Sequence, residues 1–293
     1  MEKLIGKGRM AVDMVVDPGS FQEGMVGRLT ITDKEFGPGA VIGTATLSGE
    51  TCTVIAIDAM KRNRKFSVVY AGIIGLEEAY KMALAVYHSI KADKDKPVSQ
   101  KRPLILIVDT PGNGPGKLEE IFGMNKATGA YQMALAEARK DGHPIVALVV
   151  GRAISGAFLC HGLQADHILS LAPKFGTLVH VMPLTSIARI TKLDIEWLQE
   201  LAKTNPVFAA GPDYFYRLGG IEELIDSVEA MRERVIAHVA EVRTKKAGGK
   251  QEELGPWGRG GLGAMRGGRQ MRIKVMQTMN EEFAAVADRY LAY

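Results

Sequence analysis

Two short stretches carry residue types that could do chemistry. The first, LILIVDTPGNGPGK, runs from Leu104 to Lys117. Five apolar residues lead into Asp109-Thr110-Pro111-Gly112, and the chain then fills with Gly and Pro. An Asp-x-x-Gly after a buried strand is how a GTPase holds Mg²⁺ and senses a γ-phosphate. That chemistry needs an upstream G-x-x-x-x-G-K-[ST] loop whose amides and Lys cradle the phosphates. None precedes Asp109. The nearest match, Pro111 to Leu118, lacks the first Gly and the closing Ser/Thr and follows the DTPG. Asn125-Lys126-Ala127-Thr128 lacks the Asp of a guanine-reading motif. The loop is therefore read as a shape: a strand end, a sharp turn and exposed peptide N–H groups.

The second stretch, IVALVVGRAISGAFLCHGL, repeats that logic one strand later. An apolar strand ends at Gly151, and Ser155, Gly156 and Ala157 open a helix. The first N–H groups of a helix have no internal partner and sit at the positive end of its dipole. Small residues let a ligand approach them. A helix start at Gly156 and Ala157, facing a Gly-Pro loop at Gly112 and Asn113, makes an oxyanion hole of backbone donors alone. Such a hole stabilises charge that develops on a carbonyl oxygen.

The elements that must position these turns follow from the apolar pattern. Short β-rich runs at 40–47, 52–58, 66–72, 104–109, 145–151 and 167–172 read as buried strands. Helix-length patterns lie at 76–90, 128–140 and 155–165, and alternation of the two predicts β-α crossovers and a mainly parallel sheet. Lys91 to Pro103 is a charged surface loop. A helical pair is expected at 193–204 and 211–226. Residues 245–270, rich in Gly and Arg, read as a long loop or tail, and the last twenty residues regain helical periodicity. The expected division is 1–242 for the α/β domain and 243–293 for a Gly/Arg-rich segment with a C-terminal helix.

Composition narrows the function classes. The chain has 293 residues, 46% hydrophobic and 24% charged, enough for a large core. The start has no apolar signal-peptide region, and no apolar run is long enough for a membrane span. Cys52 and Cys160 are read as reduced core thiols, which suits a cytoplasmic setting. Nine basic and two acidic residues lie between Arg243 and Lys274, a local +7 within a chain of net +4. The basic excess belongs to one segment, which argues against a nucleic-acid protein and for a local anionic partner. Neither the His nor the Cys spacing gives a metal site. His161 and Cys160, on an apolar helix, read as core, and the run 61–65 reads as a solvated face.

The runs TPGNGPGKLEEIFGMNKATGAYQ, GRAISGAFLCHGLQAD and TKLDIEWLQELAKTNPVFAAGPD, with DPGSF at 17–21 and LIDSV at 224–228, resemble the carboxyltransferase branch of the crotonase superfamily. They are most similar to the γ subunits of biotin-independent malonate decarboxylases, over roughly Asp13 to Val228. The resemblance implies an α/β spiral of ββα units. It implies a site shared with a β subunit, beside an acyl-carrier protein and an acyl-carrier transferase. Malonate would ride on the carrier's CoA-like (phosphoribosyl-dephospho-CoA) group, with no cofactor bound by this chain. Loss of CO₂ would leave an acetyl thioester. The Gly156 N–H matches the superfamily's helix-start donor, and Gly112 or Asn113 supplies the facing one. They would hold either the enolate oxygen or the departing carboxylate.

Two other readings stand beside it. Ser155 lies where the superfamily's ClpP-like peptidases place a nucleophile. His180 resembles their base, with Asp213 or Asp226 to orient it. Alternatively the chain is a scaffold that completes its partner's site. Arg259, Arg266, Arg269 and Arg272 are the expected carrier-binding residues, because acyl carriers are acidic and guanidinium forks suit phosphate. Trp257, Met271, Met276 and Phe283 offer apolar material for a partner interface.

Overall fold

The computed structural model describes residues 3–114, 116–204 and 210–290. In chain order the elements begin with α1 (Gly8–Val15), β1 (Gln22–Glu23), β2 (Met25–Val26), β3 (Leu29–Thr30), β4 (Ala40–Leu47), β5 (Glu50–Ile57) and α2 (Leu76–Ala92). The centre holds β6 (Leu104–Thr110), α3 (Lys117–Phe122), α4 (Met124–Asp141), β7 (Ile145–Ile154), α5 (Ser155–Cys160), β8 (His167–Leu171) and β9 (Leu178–His180). The rest is α6 (Leu184–Thr191), α7 (Ile195–Thr204), α8 (Pro212–Arg217), β10 (Glu223–Ile225), α9 (Met231–Ala247), α10 (Gly255–Met265) and α11 (Arg272–Ala284).

The main sheet runs β1-β4-β5-β6-β7-β8-β10, with β9 added beside β7. The β1-β4-β5 ladder is antiparallel, and β5 through β10 are parallel. Alternation along each central strand feeds two cores. Leu104, Leu106 and Val108 face α2 and α4, while Ile105 and Ile107 face α1 and α9. The long β7 has two partners on one side. Val146–Val149 pair with β8, and Arg152–Ile154 pair with β9. The two Gly turns thus emerge at the same end of adjacent parallel strands.

Five of the six expected strands form. Residues 66–72 do not: buried Asn63 accepts from the N–H groups of Lys65 and Phe66 through Oδ1, and its own N–H bonds to Val69 O. These local bonds give the backbone an alternative to a ladder. The same residue shows that the run 61–65 is not wholly a solvated face. The helix expected over 155–165 stops at Cys160, and that over 211–226 stops at Arg217, where Gly219 has φ +78°. The chain then returns to the sheet as β10.

The largest correction concerns 245–270. It is not a long loop: α9 continues to Ala247, passing through the division expected between 242 and 243, and α10 follows. This Gly-rich helix lies close on the 217–219 backbone. A Cβ on Gly263 would sit 2.2 Å from Leu218 O, and one on Gly219 would sit 2.3 Å from Gly263 N. Glycine here permits backbone-to-backbone approach.

Candidate active site

Asp109 answers the question its motif raises. It is fully buried, and its carboxylate accepts from the Arg152 N–H at 3.0 Å, from Arg152 Nε at 2.8 Å and from the Gly6 N–H. These bonds hold the ends of β6 and β7 together where their register shifts, between Val108 and Thr110. Asp109 is thus a tie between the two turns. No residue pattern signals this tie, since Arg152 is 43 residues away.

Beyond Asp109 the loop is fastened on one side and open on the other. The Ile74 N–H donates to Gly112 O at 3.0 Å, and the Gly114 N–H donates to Ile74 O at 2.8 Å. Gly112 has φ +147°, with open space where a Cβ would point. Among the described residues its N–H meets only a long contact, 3.4 Å, to Thr110 Oγ1.

The structure brings the second turn against this loop. A Cβ on Gly156 would lie 3.0 Å from Asn113 Nδ2. Asn113 Oδ1 is buried with no hydrogen-bond partner among the described residues. Ser155 is exposed and left-handed, φ +56°, so the chain turns sharply from β7 into α5. Ala157 is fully buried and offers its backbone alone. Four residues singled out in sequence, Gly112, Asn113, Gly156 and Ala157, therefore meet at one place. Two turns of backbone donors and one side-chain amide line it, with no ionisable side chain among them.

His180 stands nearby because β9 pairs it with Ile154, the residue before Ser155. Burial pushes its imidazole below the usual histidine range, and its Nδ1 has no partner. Among the described residues no hydrogen bond joins Ser155 to His180 or His180 to a carboxylate. Asp226 is exposed and paired with Lys174 at 3.2 Å, and Asp213 lies on α8. The orienting acid of a Ser-His-acid triad is not in place. His161 is core, as expected: its Nε2–H donates to Ile107 O and its Nδ1 accepts from Tyr131 OH, both at 3.0 Å.

The four arginines divide. Arg259 is 6% exposed and donates to the carbonyls of Ala165 and Leu163. Arg266 lies 3.6 Å over the Tyr216 ring and donates to the carbonyls of Tyr216, Ile221 and Glu222 at 2.7–2.9 Å. These two guanidiniums dock the C-terminal segment, so their fork chemistry is already committed to the main chain. Arg269 gives one bond to the same main chain, Nε to Leu218 O at 2.7 Å, and with Arg272, His180, Leu184 and Phe215 it lines a cavity of 770 Å³.

The mixed, mainly parallel sheet with two strand-to-glycine turns at one end is the fold of the crotonase-type carboxyltransferases. The family model for "Malonate decarboxylase gamma subunit" matches residues 70–283. The malonyl-S-ACP:biotin-protein carboxyltransferase MADD of Malonomonas rubra is 65% identical over 291 residues, covering 99% of this chain and all of that protein. One chain of a Pseudomonas malonate decarboxylase hetero-tetramer, in complex with coenzyme A, is 29% identical and superposes with a TM-score of 0.69, covering 94% of this chain and 99% of that one. The Pseudomonas MdcD–MdcE hetero-dimer gives 29% identity and 0.67, covering 83% and 90%. The chain belongs to the malonate decarboxylase γ-subunit family, whose members are decarboxylase and carboxyltransferase components of heteromeric enzymes. No helix among the described residues is long and apolar enough to cross a membrane.

Proposed function

We propose that this chain pairs with a β-type carboxyltransferase subunit in the cytoplasm and removes the carboxyl group from a malonyl thioester on an acyl-carrier protein. We further propose that a biotinyl carrier protein accepts it. Biotin-free loss of CO₂ is the expectation from the sequence, and the family model supports a decarboxylase γ subunit. The acceptor is added to the proposal on the strength of 65% identity to a protein named for a biotin-protein acceptor. The carrier's CoA-like arm and a transferase that loads malonate belong to the same proposal.

The observation that carries it is the meeting of Asn113 and Gly156 under the open face of Gly112. When the C2–carboxyl bond breaks, its electron pair passes toward the thioester oxygen. A proton then restores the acetyl methyl group. A biotinyl group held here would supply a ureido nitrogen as nucleophile, and the proton lost from that nitrogen would balance the one gained at C2. The residues present fit such a ring: the buried, unpartnered Asn113 Oδ1 is an acceptor for an N–H. The N–H groups of Gly156 and of the Gly112–Asn113 turn face an oxygen that gains charge. Asp109 and Arg152 hold the two turns at fixed separation.

The partner face we assign to α11, none of whose residues is buried, where Ile273, Met276, Met279 and Phe283 are exposed. The test uses the purified β–γ pair with malonyl-S-ACP and measures acetyl-S-ACP with and without biotinyl carrier. Turnover that needs both subunits and rises with the carrier supports the proposal. An equal rate without the carrier assigns direct release of CO₂ instead, and full activity of the γ chain alone overturns the shared site.

A further inference from the structure

The geometry points to a second site, a divalent-metal site formed by His167, His238 and Glu241 and suited to a borderline transition cation such as Zn²⁺. His167 is the first residue of β8, and His238 and Glu241 lie one turn apart on α9, the helix packed behind it. One ligand atom from each residue lies within 4.8 Å of the other two. The imidazoles are both buried and face each other through Nδ1 at 2.9 Å. Glu241 Oε2 stands 3.9 Å from His238 Nδ1.

The surroundings fix His238 as a ligand. Arg234 grips the Glu223 carboxylate with Nε at 2.7 Å and its terminal nitrogen at 2.6 Å, a two-pronged bond in which both carboxylate oxygens accept. His238 Nε2, 2.8 Å from Glu223, must therefore carry the ring proton. The lone pair on Nδ1 is turned toward His167. A carboxylate behind the far nitrogen is how ligating histidines are oriented and made more basic. Without a cation, His167 Nδ1–H fills the gap as a hydrogen bond to His238. A cation would replace that proton, with the His167 hydrogen moved to Nε2. Two nitrogens and one carboxylate leave a tetrahedral position for water, and a cavity of 470 Å³ opens beside them.

Charge around the cavity favours a cation. Glu241, Glu252 and Glu253 line it, against Lys245 and Arg266. Lys245 is the built-in competitor, its ammonium 3.1 Å from Glu241 Oε1. Neither Gly112 nor Gly156 lines this cavity, whereas Trp257 and Gly258 of α10 do. A bound ion would fasten α9 to the sheet under the start of the Gly-rich helix.

The experiment takes the tag-free full chain with its β partner, strips it with a chelator and titrates Zn²⁺ against a chromophoric competitor, with Mg²⁺ as control. One Zn²⁺ per chain is expected, with no saturable Mg²⁺ binding. Co²⁺ in its place should give the visible absorption of a tetrahedral site. His238→Gln should abolish binding, and Glu223→Gln should weaken it about 10–100-fold, as outer-shell carboxylates do. Two variants at half-exposed positions keep the fold out of question: Glu241→Gln should weaken binding, and Lys245→Gln should tighten it. No saturable Zn²⁺ binding in the wild type overturns the proposal. So does binding that neither His238→Gln nor Glu241→Gln changes.

Discussion

The sheet body and the C-terminal segment are fixed by different physics. In the body, β4 through β8 bury nearly every side chain on two apolar faces. In α10 the buried residues are Gly255, Arg259, Gly260 and Gly263, so almost no apolar area is removed from water there. Arginine-to-carbonyl bonds and glycine contacts dock it instead. An apolar core tolerates shifts that keep volume. A seam of guanidinium bonds does not, because each lost donor strands carbonyls in a buried place.

The largest expected effect follows from that contrast. Arg259→Met keeps the volume but strands the carbonyls of Ala165 and Leu163 and leaves Glu222 without a cation 3.9 Å away. Breaking such a buried partnership costs about 3–5 kcal/mol, measured as a shift in the denaturant midpoint. A loss below about 1 kcal/mol would mean the segment is held by something other than this seam. Gly263→Ala should cost less, about 1–3 kcal/mol, as overpacking against Leu218 O. Limited proteolysis should then cut preferentially within 248–270 while the sheet body stays intact.

Acid and base should separate the two regions further. Burial pushes His161, in the body, down to about 4 from 6.5. The unfolded chain takes up a proton that the folded body refuses, so this contribution fades as pH falls from 6.5 toward 4. Burial pushes Glu222, at the α10 seam, up to about 7 from 4.5. The folded seam then holds a proton that the unfolded chain has lost, so its contribution fades as pH rises from 4.5 to 7. Proteolysis of the segment and unfolding of the body should show opposite slopes, and Glu222→Gln should flatten only the first.

The smallest effect concerns Arg269 and Arg272, which line the larger cavity, Arg269 while also bonded to Leu218 O. Changing both to Gln should raise the apparent KM for malonyl-carrier several-fold, less so at high salt where screening is complete. Stability should fall by no more than about 1 kcal/mol, the worth of the exposed Arg269–Leu218 O bond. Unchanged KM at low ionic strength removes carrier docking from this face.

The body was legible because burial writes itself into sequence: five apolar runs became strands at nearly the expected residues. Both Gly turns were visible for the same reason, each ending such a run. What could not be read depended on partners with no residue-type signature. Arg259 and Arg266 bond to main-chain carbonyls, which any residue carries, so a docked helix looked like a tail. The buried stripe of α9 includes His238 and Lys246, polar residues whose partners His167 and Asp166 lie on and beside β8. That breaks the apolar period by which a helix is recognised. The placement of His180 beside Ser155 required the β7–β9 pairing, and the missing acid behind it could be judged only in three dimensions.

On the proposed function, backbone donors held in place by Asp109 and Arg152 stabilise the transition state where the two turns meet. The most direct measurement is single-turnover formation of acetyl-S-ACP by the β–γ pair carrying Gly156→Val. The added side chain must push Asn113 aside and cover the Gly156 N–H. Removal of one such donor costs on the order of 3 kcal/mol, so the rate should fall about a hundredfold while Ser155→Ala stays near wild type. A folded, paired Gly156→Val enzyme turning over at the wild-type rate would contradict the account.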